Sequence, residues 1–209
     1  MADSDFYRLQ AKRPERLLQF RRMLRDLGGF DRRQSGAICE IRLLSGLIPE
    51  RRNEGMSELS NIITNGFILT YRDYGKRVRT LSEKLSEQEF WTKPFPYGNS
   101  VGHLALHIIG NLNYYIGAQI ARTGYVRDRD REFAEGNPPP KEEVLRQLDE
   151  VVELVVKTLE AQTTDSWGAE YSAIGMESVN DRFMAFLRCA AHFQHHIGQM
   201  IYLTNEHTK

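Results

Sequence analysis

Five of the six histidines fall in two short runs, His103 with His107 in SVGHLALHIIGN and His192, His195 and His196 in AAHFQHHIGQM. Both runs lie in segments that read as helices. At roughly 100° per residue, side chains four apart project only about 40° from one another, one turn above the other. His192 and His196 can therefore reach one point beside their helix, and His103 and His107 repeat the geometry on another. Imidazole nitrogens converging from two helices are the means by which a helical bundle holds a transition-metal ion. Four converging imidazoles would close the shell around it. Three would leave a position for water or substrate, as catalysis requires. Both arrangements are open on spacing alone. No Glu-x-x-His motif accompanies the histidines, which disfavours a di-iron carboxylate site.

The elements that must carry these residues follow from the apolar pattern. Helix A is expected from Glu58 to Leu85, with Ile62, Ile63, Leu69, Val78, Leu81 and Leu85 as its apolar positions and Gly66 and Gly75 as weak points. The link LSEQEFWTKPFPYGNS ends it, since Pro94 and Pro96 disfavour helix. Asn99 or Ser100 caps helix B, which continues to about Arg122. A long charged loop, TGYVRDRDREFAEGNPPP, precedes helix C, KEEVLRQLDEVVELVVKTLEA, whose first turn carries acids where the helix dipole favours them. A second loop spans Asp165 to Glu177, and helix D runs from about Ser178 to Leu203. With no strand pattern, the expectation is an all-α, antiparallel four-helix bundle. On helix D the strongest apolar stripe is Phe183, Leu187, Ala190, Ile197 and Ile201. His192 and His196 are placed inward and His195 outward, with the apolar stripe as the competing inward face.

Composition bounds the function class. The 209 residues, 41% hydrophobic and 27% charged, suit one globular domain with an appendage. No apolar run approaches a membrane span and no secretory signal is apparent, so a cytoplasmic location is expected. Cys39 and Cys189 fit neither a disulfide framework nor a CxxC pair, in keeping with a reducing compartment. A formal net charge of zero argues against nucleic acid as a partner. Residues 1–55 read as an arginine-rich N-terminal extension and residues 56–209 as the metal-binding domain. Within the extension, Pro14 to Leu27 could form a short basic amphipathic helix touching a membrane or partner, but its interspersed acids and nearby glycines favour a loosely ordered tail. Met56 as the natural start is a third reading.

The order of these segments, with SVGHLALHIIGN on the second helix and HFQHHIGQMIYL on the last, resembles the DinB/YfiT-like family of four-helix metalloenzymes over about residues 58 to 205. The resemblance implies one divalent ion (Zn, Ni, Co, Mn or Fe) held by His107, His192 and His196, with Gly198 and Gln199 following the pair, and favours His107 over His103. It also implies activity on a small-molecule substrate with a low-molecular-weight thiol such as bacillithiol, mycothiol or glutathione, of S-transferase or hydrolase type, and a homodimer. Asn111, Tyr114 and Gln199 are candidates to orient the imidazoles, though ordinary packing or solvent-facing polarity is the commoner role for each. Trp91, Phe95 and Tyr97 are candidates to wall a pocket above the metal, against the usual role of sealing a core. Cys189 reads as a small buried apolar residue. No general base stands out besides metal-bound hydroxide. The competing class is a non-catalytic metal-binding or interaction module whose bundle its ion merely stabilises.

Overall fold

Tyr71, Gly75, Val78 and Ser82 recur at spacings of three and four, and this face, not the one carrying Ile62 and Leu69, points inward from the first long helix. The computed structural model describes residues 49–134 and 136–209, with side chains from residue 57 onward; Cys39 and the basic segment Pro14 to Leu27 lie outside them. Helix α1 spans Pro49–Ser82, starting earlier than Glu58 and ending before Leu85. Ile62 and Leu69 are 61% and 70% exposed, contrary to expectation. They sit about half a turn around the helix from Tyr71 and Val78, at roughly 100° per residue, so the helix cannot bury both sets. Tyr71 is fully buried and its hydroxyl donates to the Phe186 carbonyl oxygen at 2.8 Å. Gly75 permits close helix approach, since a Cβ there would lie 3.2 Å from Val152 Cγ2.

The proline-bearing link holds a short helix, α2 (Glu87–Trp91), begun by a capping box in which Ser86 and Glu89 satisfy each other's backbone N–H groups. Phe90 on this turn is fully buried. Helix α3 (Val101–Leu112) buries eleven of its twelve residues, which makes it the central element. It packs against α4 (Lys141–Glu160) and α6 (Arg182–His207). Beyond Leu112 the chain continues as a π-helical turn, Asn113–Ala118, so helix B ends before Arg122 and carries a widened turn that periodicity does not reveal. The charged loop that follows contains a 3-10 turn, Asp130–Phe133.

Helix α4 starts after the prolines with Glu142 and Glu143 in its first turn and buries a continuous aliphatic face from Val144 to Leu159. Each such Val or Leu contributes about 1.5–3 kcal/mol. A one-turn helix, α5 (Thr164–Trp167), lies in the second loop, where Trp167 Nε1 donates to Ser60 Oγ at 3.0 Å. Asp181 caps α6, later than expected. Among the described residues there is no strand, only one isolated bridge between Glu170 and Asp181. Residues Glu50–Lys209 form one compact unit, and no helix among the described residues is long and apolar enough to cross a membrane.

The inward face of α6 is Phe186, Cys189, Ala190, Phe193, Ile197 and Met200. The competing apolar stripe is met only in part: Ala190 and Ile197 are buried, whereas Leu187 is 42% exposed. The aromatic cluster explains the choice, because Phe186 meets Trp167 edge-on at 5.6 Å and Phe67 at 6.1 Å, contacts Leu187 could make only by turning that cluster to solvent. Truncating Phe186 to Ala should accordingly cost about 3–5 kcal/mol. Leu187→Ala should stay within about 0.5 kcal/mol, as for a surface site. Urea unfolding of the two variants tests the assignment; equal losses would refute it.

Candidate metal centre

Two helices bring three imidazoles to one point. His107 comes from the middle of α3, and His192 and His196 from successive turns of α6. His107 Nε2 lies 3.1 Å from His192 Nε2, and His196 Nε2 lies 3.2 Å from the same atom. The three ligand atoms all fall within 4.8 Å of one another. His107 and His196 are buried and His192 is half-buried. Nitrogens about 2.0–2.1 Å from a shared ion, on one side of its coordination sphere, would be spaced about as these are.

Hydrogen bonds on the far side of two rings decide which atoms carry lone pairs. His107 Nδ1 lies 2.8 Å from Glu132 Oε2. A carboxylate can only accept, so Nδ1 carries the proton and Nε2 presents its lone pair. Arg127 Nη2, which carries two hydrogens, is also 3.2 Å from that nitrogen and donates to Glu132 Oε2 at 2.9 Å, while Nε donates to Oε1 at 2.6 Å. The guanidinium thus grips the carboxylate with two bonds. His196 Nδ1 lies 2.7 Å from Gln199 Oε1, which sets the same tautomer. Two lone pairs therefore face His192 Nε2, which has at most one proton to offer. A divalent cation satisfies all three nitrogens at once, so the donor set fits such an ion.

Glu132 and Arg127 were not found by sequence reasoning. Their loop alternates Arg with Asp, and nothing in RDRDRE marks one acid over the others. The available signal was Gly110, a helix-weakening residue in an apolar run. A Cβ there would stand 2.0 Å from Glu132 Oε1, so the glycine makes room for the carboxylate against α3. Burial raises the Glu132 carboxyl, but hydrogen bonds from His107 and Arg127 outweigh it and hold the group below its ordinary range.

His103 does not join the cluster. Its Nδ1 lies 2.7 Å from Ser100 Oγ and 3.4 Å from the Ser100 backbone N–H, closing a capping box at the start of α3. Its ring meets Trp91 edge-on at 5.6 Å. Trp91 is thus occupied with His103, Phe95 stacks on Tyr97 at 5.7 Å, and Tyr97 is 74% exposed. The expected aromatic wall over the metal is not formed by these residues. A pocket of about 420 Å³ does adjoin the cluster, lined by His192 with Asn111, Tyr115, Met176, Arg188 and the exposed His195 among others. Tyr114 packs edge-on against Tyr115 at 4.9 Å and makes no contact with the imidazoles among the described ones. Burial pushes the Cys189 thiol up to about 12, so it is a neutral core residue.

Comparison with known proteins places these features in a family. The DinB superfamily model matches residues 71–200, a span that holds all three histidines and Glu132. No curated protein matches the chain. A crystal structure titled as the conserved protein of locus from Enterococcus faecalis is similar, with a TM-score of 0.57 at 17% identity over 68% of this chain and 95% of that one. At that identity the likeness speaks for the fold alone.

The cluster also sets a pH dependence. Burial, reinforced by His196, His107, His195 and Arg127, lowers His192 from 6.5 to about 3. Burial lowers His196 to about 4, with His107 and His195 adding to it and the Gln199 bond opposing. In the unfolded chain both rings protonate near 6.5, so below that pH the unfolded state binds more protons. Stability is full above 6.5 and falls with pH through the window down to these depressed values. Thermal unfolding of chelator-treated protein between pH 7.5 and about 4.5 should show a falling midpoint, flattened in the His192→Gln/His196→Gln double variant. Parallel curves for the two proteins would contradict it.

Proposed function

The chain belongs to the DinB superfamily, and from that premise we propose that it is a metal-dependent enzyme whose single divalent ion is held by Nε2 of His107, His192 and His196. The observation that carries the reading is the pair of tautomer-fixed lone pairs converging on a third imidazole beside an open pocket. When bound, an ion with three neutral ligands keeps its full charge and lowers the pKa of a coordinated thiol or water, supplying a nucleophile at neutral pH. The reaction we infer is of S-transferase or hydrolase type, on a low-molecular-weight thiol or an electrophilic small molecule.

The chain's own residues have defined tasks in it. Glu132 keeps the proton on Nδ1 of His107 and so holds Nε2 ready to bind. Arg127 neutralises and orients Glu132. Gln199 does for His196 what Glu132 does for His107. The pocket side chains of Asn111, Tyr115 and Arg188 would bind and orient the substrate next to His192. A pocket of about 420 Å³ suits a small molecule rather than a polymer.

Mass-spectrometric metal analysis of the purified protein tests the site. About one divalent ion per chain is expected, lost in alanine variants at 107, 192 and 196 and kept at 103 and 195. His103→Ala should instead cost about 1 kcal/mol through the helix cap. Glu132→Gln should retain the fold yet weaken metal binding about 10- to 100-fold in a chelator competition. Absence of bound ion after reconstitution with zinc, nickel, cobalt, manganese and iron would sink the proposal. Where metal binds, a thiol-transfer and hydrolysis screen on loaded protein follows.

A further inference from the structure

The pocket beside the three imidazoles is lined on one side by a single stripe of α6. Arg188, His192 and His195 stand at spacings of four and three, so they share a face. Across from them, α3 contributes Asn111. Asn111 is only 6% exposed, and its side-chain amide makes no hydrogen bond among the described residues. Asn111 lines the pocket, so with no protein partner its amide donors are free for whatever fills that space. The Arg188 guanidinium, on an exposed position of α6, has no ion pair or hydrogen bond among the described residues. It contrasts with Arg127, which lies 5.8 Å from the centre of the ring of Tyr115, another pocket residue, but is engaged by Glu132. Among the described residues no carboxylate lines the pocket.

We propose that this pocket is an oxyanion subsite, and that the substrate of the metal centre is a small molecule bearing a carboxylate. The inference rests on the metal-enzyme reading above and deepens it. Arg188 offers a planar fork matched to the two oxygens of a carboxylate, and the Asn111 amide offers a further donor from the opposite wall. The Tyr115 hydroxyl donates to the Ile174 carbonyl oxygen at 3.2 Å, which fixes the ring and leaves its oxygen with acceptor capacity. Gly175 closes the rim because no larger residue fits: a Cβ there would stand 2.7 Å from that hydroxyl, and the backbone has a φ of +86°. His192 belongs both to the pocket and to the imidazole cluster. An anionic group held by Arg188 and Asn111 would leave the rest of a small substrate within reach of the metal position.

The test uses the full chain, both zinc-loaded and chelator-treated, titrated with succinate and, separately, with inorganic phosphate at constant ionic strength set by chloride. Chemical shifts of the Asn111 side-chain amide and the Arg188 Nε–H report binding. Succinate should shift both resonances saturably in the chelator-treated protein, where no metal can act as its ligand. Arg188→Gln and Asn111→Ala should each weaken that binding at least about tenfold. Metal content measured on the same samples should be unchanged in both variants, which separates this subsite from the metal site. A preference for phosphate over succinate would overturn the carboxylate assignment. No saturable shift beyond the chloride control, or equal succinate affinity in Arg188→Gln, would overturn the subsite while leaving the metal reading intact. Loss of metal binding in the wild-type protein would strike that reading instead.

Discussion

The site depends on one hydrogen bond, from His107 Nδ1 to Glu132 Oε2 at 2.8 Å. It fixes the imidazole tautomer, so that the other ring nitrogen faces the α6 pair with a lone pair. It draws the loop after the π-helical turn back against α3, and it forces a glycine at 110. The carboxylate could not lie there alone, because desolvating an unpaired charge costs several kcal/mol, of order more than a neutral hydrogen bond returns. Arg127 offsets that cost with two contacts of 2.6 and 2.9 Å. Three residues from one loop and one helix are therefore a single unit: removing Arg127 or Glu132 leaves the other's charge unpaired, and removing His107 leaves Glu132 Oε2 without its imidazole donor.

Helix α6 meets three different environments with one set of turns. Phe186, Cys189, Phe193, Ile197 and Met200 fill the core, Arg188 and His195 meet the pocket, and His192 with His196 lies at the seam between them. That seam is where a metal ligand must be if its ion is to have protein on one side and substrate on the other. Asp181 starts the helix, and its register is set by the aromatic packing of Phe186 against Trp167 and Phe67. Core packing far from the histidines thus sets the angle at which they project.

Much of this was legible from sequence, and the remainder failed for identifiable reasons. The i, i+4 spacing of His192 and His196 reports local geometry that any helix imposes, and the all-helical class follows from periodicity across long segments. Choosing between His103 and His107 does not follow from that spacing, since both share one face. Ser100 decides it: a serine three residues before His103 makes that ring a capping partner, a local signal that the helix start already contained. On α1, Ile62 and Leu69 lie opposite the face of Tyr71 and Val78, and on α6 Leu187 lies outside while Phe186 packs on Trp167, so apolar type alone does not select the inward side. Glu132 lies 25 residues from His107 in a loop of alternating charge, where no periodicity exists to select it.

Histidines placed only for packing would look different. A structural imidazole in a core gives its hydrogen to a nearby carbonyl and leaves its second nitrogen against an apolar or donor group. Here two rings give their protons away from the centre, to Glu132 and Gln199, and turn their lone pairs toward a third nitrogen. With one proton at most on His192 Nε2, at least one buried acceptor pair remains opposed, an arrangement that costs about 1–3 kcal/mol for each unsatisfied group. Replacing the three rings by apolar residues of similar volume would remove that cost. The three rings, the buried ion pair that holds one of them and the pocket beside another together suit a group that accepts lone pairs. Such an arrangement fits a cation at the centre.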